Sequence, residues 1–206
     1  MNHARLALTT LLFLVSTRAS DLVVTFYFNP SLDREANLIV RVLGGGARSL
    51  VAISVIEVVS LSGALLLFWR GPYLSELCTN GGSFRNFVAR WLTEVIGSRD
   101  PFTAWMPGGP RSTHSVQAIR LVGVALSWAM IFGSLAAVYA WFVLMINFSD
   151  RMRAVFTSLS FGSTTVVPYL AALLGFCFGA LLFFISEYSR TRRRCAMEPH
   201  RADSRR

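Results

Sequence analysis

Four long apolar runs constrain this 206-residue chain more than any other feature of its sequence. They cover residues 6–28, 49–69, 121–146 and 166–187. A helix needs about 20 apolar residues to cross the core of a bilayer, where its backbone hydrogen bonds must be satisfied within the helix. Charged residues make up only 15% of the chain, against about 25% in soluble domains. We therefore predict an all-α fold, an integral membrane four-helix bundle with short interfacial helices.

The first apolar run contains Arg18 and Asp21, and this interruption permits two interpretations. Residues 1–19 resemble a secretory signal peptide that ends in a small-x-small cleavage site. Apolar residues resume at Leu22 and continue to Phe28, which gives an uncleaved helix of spanning length. We favour the uncleaved helix and hence four spans, whereas cleavage would leave three.

Arginine placement indicates how the spans are oriented. The chain has 20 arginines and no lysine, a bias typical of a GC-rich bacterial gene. Seven arginines follow Tyr188, and five more lie from Arg70 to Arg111, between the second and third runs. Because positive residues stay inside, both termini and this middle segment are expected in the cytoplasm, which places the protein in the inner membrane. We predict a membrane domain over residues 1–189 and a basic, disordered cytoplasmic tail over residues 190–206, with His3 in the disordered amino-terminal end.

Two short amphipathic helices are predicted outside the spans, at residues 31–43 and 84–96. The second has an apolar face that includes Trp91 and an opposite face that includes Arg90. A basic helix of this kind lies flat on an anionic membrane surface or packs against the cytoplasmic ends of the spans. Both alternatives remain open at this point.

Small residues recur at every fourth position in the third and fourth runs, a pattern that lets membrane helices approach closely. The candidate packing residues are Ala129, Gly133, Ala137, Ala171, Gly175 and Gly179. We expect these two helices to pack within the bundle. The alternative is that Gly175 and Gly179 form a homo-oligomer contact or bind a protein partner.

Ionisable residues inside the first two runs are the main functional suspects, because each costs about 2.5–3.5 kcal/mol at the bilayer centre. Thr17, Asp21 and Thr25 share one helical face. Arg18 lies three residues before Asp21, whereas Glu57 has no ionic partner in its own run. We favour a structural pairing between helices over a proton, ion or substrate site.

The residues around the end of the first run also resemble a family signature. Asp21-x-x-x-Thr25, followed by Glu35-Ala36-Asn37, is similar to a motif of a family of small prokaryotic polytopic membrane proteins with no established activity. The similarity covers residues 18–46, and Leu38 stands where the family has proline. The resemblance implies a polar cluster but no reaction. Together with the preceding residues, the candidate cluster is Arg18, Asp21, Thr25, Glu35, Asn37 and Glu57.

Sequence signatures of hydrolases, zinc proteases and phosphate-binding loops are absent from the chain. Three cysteines without a CxxC motif predict neither a disulfide framework nor a zinc site. We therefore expect no catalytic residue, no metal, no cofactor and no nucleic-acid partner, and the lipid bilayer as the surroundings.

Three functions are compatible with these features. The first is a non-enzymatic accessory or partner subunit of a membrane assembly. The second is a small proton-coupled carrier that uses Asp21 and Glu57. The third, which we rank last, is an intramembrane lipid-modifying enzyme with Asp21, Glu35 and His114 as acid and base.

Overall fold

The computed structural model describes residues 3–30, 46–71, 83–96, 113–145, 154 and 166–203. Within these residues the chain is all-α, with five helices and no strand. The helices are α1 (His3–Phe28), α2 (Ala47–Arg70), α3 (Phe84–Ile96), α4 (Thr113–Met145) and α5 (Val166–Asp203). Four of them are long and apolar, as expected of a four-helix bundle, so the predicted fold class is confirmed.

All four long helices are able to cross a membrane by length and composition. The candidate spans are 26, 24, 28 and 31 residues long, against the roughly 20 that a bilayer core requires. The first span begins at His3, three residues earlier than the apolar run predicted. The polar residues Arg18 and Asp21 do not break α1, because the helix satisfies its own backbone wherever its side chains point. The protein is therefore a multi-pass membrane protein.

The short helix α3 spans the same residues as the amphipathic segment predicted at 84–96. Phe87, Trp91 and Val95 recur at every fourth position and are buried. The Trp91 ring lies edge-on to Phe183 and Phe184 of α5, with ring centroids 5.4 and 5.2 Å away. The apolar face of α3 is thus packed against protein, which is one of the two alternatives left open by the sequence. The helix predicted at residues 31–43 lies outside the described residues.

The carboxyl-terminal segment differs from its prediction. Residues 190–206 were expected to be disordered, yet α5 continues as a helix to Asp203. Arginine, alanine and methionine are good helix formers, and a helix that has already formed extends at little cost. Net positive charge alone is therefore not sufficient to predict disorder in this segment.

The chain divides into two compact units, and each long helix contributes to both. The first unit comprises Met1–Thr9, Gly63–Val124 and Ala180–Arg206. Its buried core contains large side chains from α2, α3, α4 and α5, namely Phe68, Trp91, Val95, Val124 and Phe183.

The second unit comprises Thr10–Ser62 and Ala125–Gly179. Its core is a cluster of Leu14, Leu61 and Ile131, to which Trp128, Met130 and Phe132 are packed. The two cores are built alike from large apolar side chains, so the differences between the units lie in their polar residues.

Candidate functional site

The second unit brings Arg18, Asp21 and Glu57 together, and we call these three residues with Ser134 the Arg18 cluster. Arg18 Nη1 donates to Asp21 Oδ2 at 2.8 Å, and Arg18 Nη2 donates to Glu57 Oε2 at 2.9 Å. Ser134 Oγ donates to the same Asp21 oxygen at 3.3 Å. One guanidinium thus connects α1 to α2, and one hydroxyl connects α1 to α4.

Helical spacing explains why Arg18 can reach both carboxylates. Arg18 and Asp21 are three residues apart on α1 and therefore lie on neighbouring positions of its surface. The second guanidinium nitrogen is then directed to Glu57, which has no ionic partner on α2 itself. The two parallel donor groups of arginine suit this bridging role, which a lysine could not fill in the same geometry.

The remaining polar residues of α1 in this unit serve the helix or are simply buried. Thr17 Oγ1 donates to the backbone oxygen of Phe13 at 2.8 Å. Thr25 is buried, with 5% of its surface exposed. Ser54, one turn before Glu57, is also buried, and its hydroxyl has no hydrogen-bond partner among the described residues. Glu35 and Asn37, the other members of the predicted cluster, lie outside the described residues.

The two carboxylates of the Arg18 cluster differ in their contacts. Among the described residues, one guanidinium is shared between Asp21 and Glu57. Asp21 accepts from both Arg18 and Ser134, whereas Arg18 alone is seen to donate to Glu57. The Glu57 side chain is also the most exposed of the three, at 31% against 12% for Asp21 and 14% for Arg18.

The first unit holds a second polar network, built around Arg120 of α4 and Glu187 of α5. Arg120 donates to Glu187 Oε1 through Nη2, and the same nitrogen donates to the Phe68 backbone oxygen at 3.0 Å. Arg120 Nη1 donates to Gln117 Oε1 at 2.7 Å. The Arg120 side chain is fully buried and that of Glu187 is 4% exposed.

His3 and Arg190 complete this network, which we call the Arg120 cluster (Arg120, Glu187, His3, Arg190 and Gln117). His3 Nε2 lies 3.0 Å from Glu187 Oε1, so that the imidazole and the Arg120 guanidinium share one carboxylate oxygen. Arg190 Nη1 is 3.8 Å from the same oxygen, and its Nη2 donates to the Gly71 backbone oxygen at 3.1 Å. Groups from α1, α4 and α5 thus converge on one buried carboxylate of α5.

Sequence reasoning missed the Arg120 cluster. His3 was expected in a disordered end, which is wrong, because it is 8% exposed and lies within α1. The sequence contains only a weak indication that these residues are buried, since Arg120 and Glu187 each lie at the edge of an apolar run. Their burial follows only when the four helices are placed side by side, which no single run specifies.

The small residues of the fourth span lie against α4, as the contacts around glycine show. A Cβ at Gly175 would overlap the Trp128 backbone oxygen and lie 2.9 Å from Phe132 Cβ. A Cβ at Gly133 would meet Ala172 Cβ at 3.4 Å. Gly179 is buried, and Ala129, Ala137 and Ala171 are partly buried. These contacts lie within the second unit and need no second copy of the chain.

The cysteines depart from their prediction at one position. Cys177 is free and exposed on α5, whereas Cys195 is disulfide-bonded, contrary to the expectation from the sequence.

Comparison of the chain with protein-family models, with curated proteins and with solved structures gives no match.

Proposed function

We propose that this protein is a non-enzymatic accessory subunit of a larger membrane assembly. The observation that carries the proposal is that the acidic residues of the described spans are each paired with an arginine. Arg18 pairs with Asp21 and Glu57, and Arg120 pairs with Glu187. Such pairs fix the register of neighbouring helices, because a shifted helix would leave a charge buried without a partner.

The outer surfaces of the long helices provide the area through which such a subunit would bind. Large apolar side chains are exposed along α1, α2 and α5, including Leu12 (60%), Ile56 (64%) and Leu174 (65%). Inside a bilayer these faces contact lipid or the helices of another protein, and small residues let such helices come close. Gly63 on α2 has no atom within 4 Å of the position of a Cβ, so the surface there is open.

A proton-coupled carrier that uses Asp21 and Glu57 is the second candidate. The observation that favours it is the partly exposed carboxylate of Glu57 inside α2, whose Arg18 partner also pairs with Asp21. Glu57 is the group with the fewest partners and the greatest exposure in that cluster. A carboxylate of this kind inside a span is a recurrent feature of proton relays.

We propose further that the membrane is the inner membrane of a bacterium and that both termini are cytoplasmic. The seven arginines after Tyr188 and the five from Arg70 to Arg111 support this orientation. The disulfide at Cys195 favours the opposite side, because cytoplasmic thiols are kept reduced. We give the arginines precedence, since charge sets topology during insertion.

The accessory role is tested by extracting the protein from its native membranes directly into lipid nanodiscs and recording native mass spectra. We expect a complex that contains a second, different polypeptide at fixed stoichiometry, heavier than the 22.8 kDa of one chain. A repeat of the extraction at high salt separates specific partners from proteins held by the basic surface. Recovery of lone monomers, or of this chain bound only to itself, would overturn the proposal.

A further inference from the structure

A cavity of about 380 Å³ opens on α5 in the first unit, just after the apolar part of that helix. Its lining includes Tyr188, Ser189, Arg192, Arg193 and Ala196. The volume lies in the range of sites that hold small organic groups. Two arginines supply several N–H donors, whereas the Ser189 hydroxyl already donates to the backbone oxygen of Ile185 at 2.8 Å. The cavity therefore suits an anion rich in oxygen acceptors.

The walls of this cavity are held in place by neighbouring contacts. Arg193 Nε donates to the backbone oxygen of Ser189 at 3.2 Å, which fixes the start of its guanidinium group. The Tyr188 ring lies edge-on to Phe84 and Phe87 of α3, with centroids 5.6 and 5.4 Å away. The amphipathic helix α3 therefore positions one wall, and planar guanidinium groups of this kind bind phosphate oxygens in pairs.

The position of the cavity along α5 indicates the source of the anion. Apolar residues end at Ser186 and Glu187, and the arginines begin three residues later. A tyrosine such as Tyr188 at this boundary is typical of the headgroup level of a bilayer. Arg85 and Arg90 are exposed on α3 and belong to the same unit, which adds positive charge nearby.

We propose that this cavity binds the phosphate headgroup of an anionic phospholipid. Arg192 and Arg193 bind the phosphate oxygens, and Tyr188 and Ser189 line the cavity beside them. A lipid is the occupant because its acyl chains extend along the apolar part of α5 while its headgroup lies at the level of the arginines. A zwitterionic lipid carries the same phosphate but also a cation, which the arginines repel.

The proposal is tested on the full-length protein in a neutral detergent by native mass spectrometry with titrated lipid. The probes are phosphatidylglycerol, phosphatidylcholine of the same chain length and inorganic phosphate. The variant R192Q/R193Q removes the two cavity arginines, and R85Q/R90Q removes the same charge from the exposed face of α3. Because all four side chains are exposed, both variants should keep the fold, which circular dichroism verifies.

We expect phosphatidylglycerol to bind at least about tenfold more tightly than phosphatidylcholine, and R192Q/R193Q to lose about 10- to 30-fold in affinity. R85Q/R90Q should lose less than about threefold. An equal loss in both variants would show a diffuse basic surface and overturn the proposal. Competition by millimolar inorganic phosphate would show a site for the free ion and overturn the assignment to lipid, as would equal binding of the two lipids by the unaltered protein.

Discussion

In the Arg120 cluster one carboxylate, Glu187, is met by two guanidinium groups and an imidazole, whereas in the Arg18 cluster one guanidinium serves two carboxylates. The first cluster is nearly sealed, with side-chain exposures of 0% for Arg120 and 4% for Glu187. The second is more open, and its least connected member, Glu57, is 31% exposed. Among the described residues, the first cluster thus gathers several donors around one carboxylate, whereas the second shares one guanidinium between two carboxylates.

The difference in exposure and in the number of donors predicts different effects when a charge is removed from each cluster. A sealed carboxylate with several donors loses much when any of them is removed, because the remaining charges have no solvent to replace the partner. A carboxylate at the edge of its cluster, with one observed donor, contributes less to stability. We therefore assign the Arg120 cluster to stability and regard Glu57 as the residue on which any transport activity would depend.

The largest effect is expected from Arg120→Met. Loss of this guanidinium leaves Glu187 buried and the Phe68 carbonyl without its donor, which should destabilise the protein by about 3–5 kcal/mol. Arg18→Met, the matched change in the more open cluster, should cost only about 1–3 kcal/mol. Unfolding by sodium dodecyl sulfate in mixed micelles, followed by circular dichroism, measures both free energies.

The double variant R120M/E187M serves as the control for Arg120→Met. With both residues of the pair replaced, part of the lost stability should return, because an apolar pair of similar size replaces a buried ion pair at little cost. The recovery is incomplete, since His3 and Arg190 lose their carboxylate partner. If Arg120→Met proves no more harmful than Arg18→Met, the assignment of the sealed cluster to stability fails.

A smaller effect is expected from Gly175→Ala, which tests packing in the second unit rather than charge. The new methyl group would meet the Trp128 backbone oxygen and Phe132 Cβ, so we expect a loss of about 1–3 kcal/mol. Gly63→Ala is the matched control, since nothing lies within 4 Å of its Cβ position, and its stability should change by less than about 1 kcal/mol.

The same pair of variants distinguishes packing within the chain from self-association. If Gly175 faces a second copy, Gly175→Ala would weaken a dimer in analytical ultracentrifugation and leave the unfolding of the monomer unchanged. That result would contradict the contact with α4 as its main role and revive the homo-oligomer alternative.

Most of the fold could be predicted from the sequence, because each span is a local property of its own apolar run. The span over α2 and the short helix α3 follow from hydropathy and helical periodicity without knowledge of any neighbour. The pairing of Arg18 with Asp21 also follows from spacing on one helix. Whether α3 rests on lipid or on protein is not local, and the contact of Trp91 with Phe183 and Phe184 supplied that answer.

The Arg120 cluster could not be predicted for the same reason. His3 precedes Glu187 by 184 residues, and their contact depends on α1 and α5 lying side by side. A histidine at the start of a chain carries no periodic signal of burial. The helical continuation of α5 to Asp203 was missed because arginine-rich composition was read as disorder, although arginine also favours helices.

The smallest expected change in stability, and the sharpest test of the comparison, comes from Glu57→Gln. The amide keeps the shape of the side chain and removes a charge that is partly exposed to solvent, so stability should change by less than about 1 kcal/mol. Asp21→Asn should lower stability more, because Asp21 accepts from both Arg18 and Ser134.

The same variants, reconstituted in vesicles that enclose a pH-sensitive dye, report proton flux. An accessory subunit gives no flux with or without Glu57. A proton-driven flux that Glu57→Gln abolishes, while Glu94→Gln on α3 leaves it intact, would instead identify a carrier and reverse the order of the two candidates.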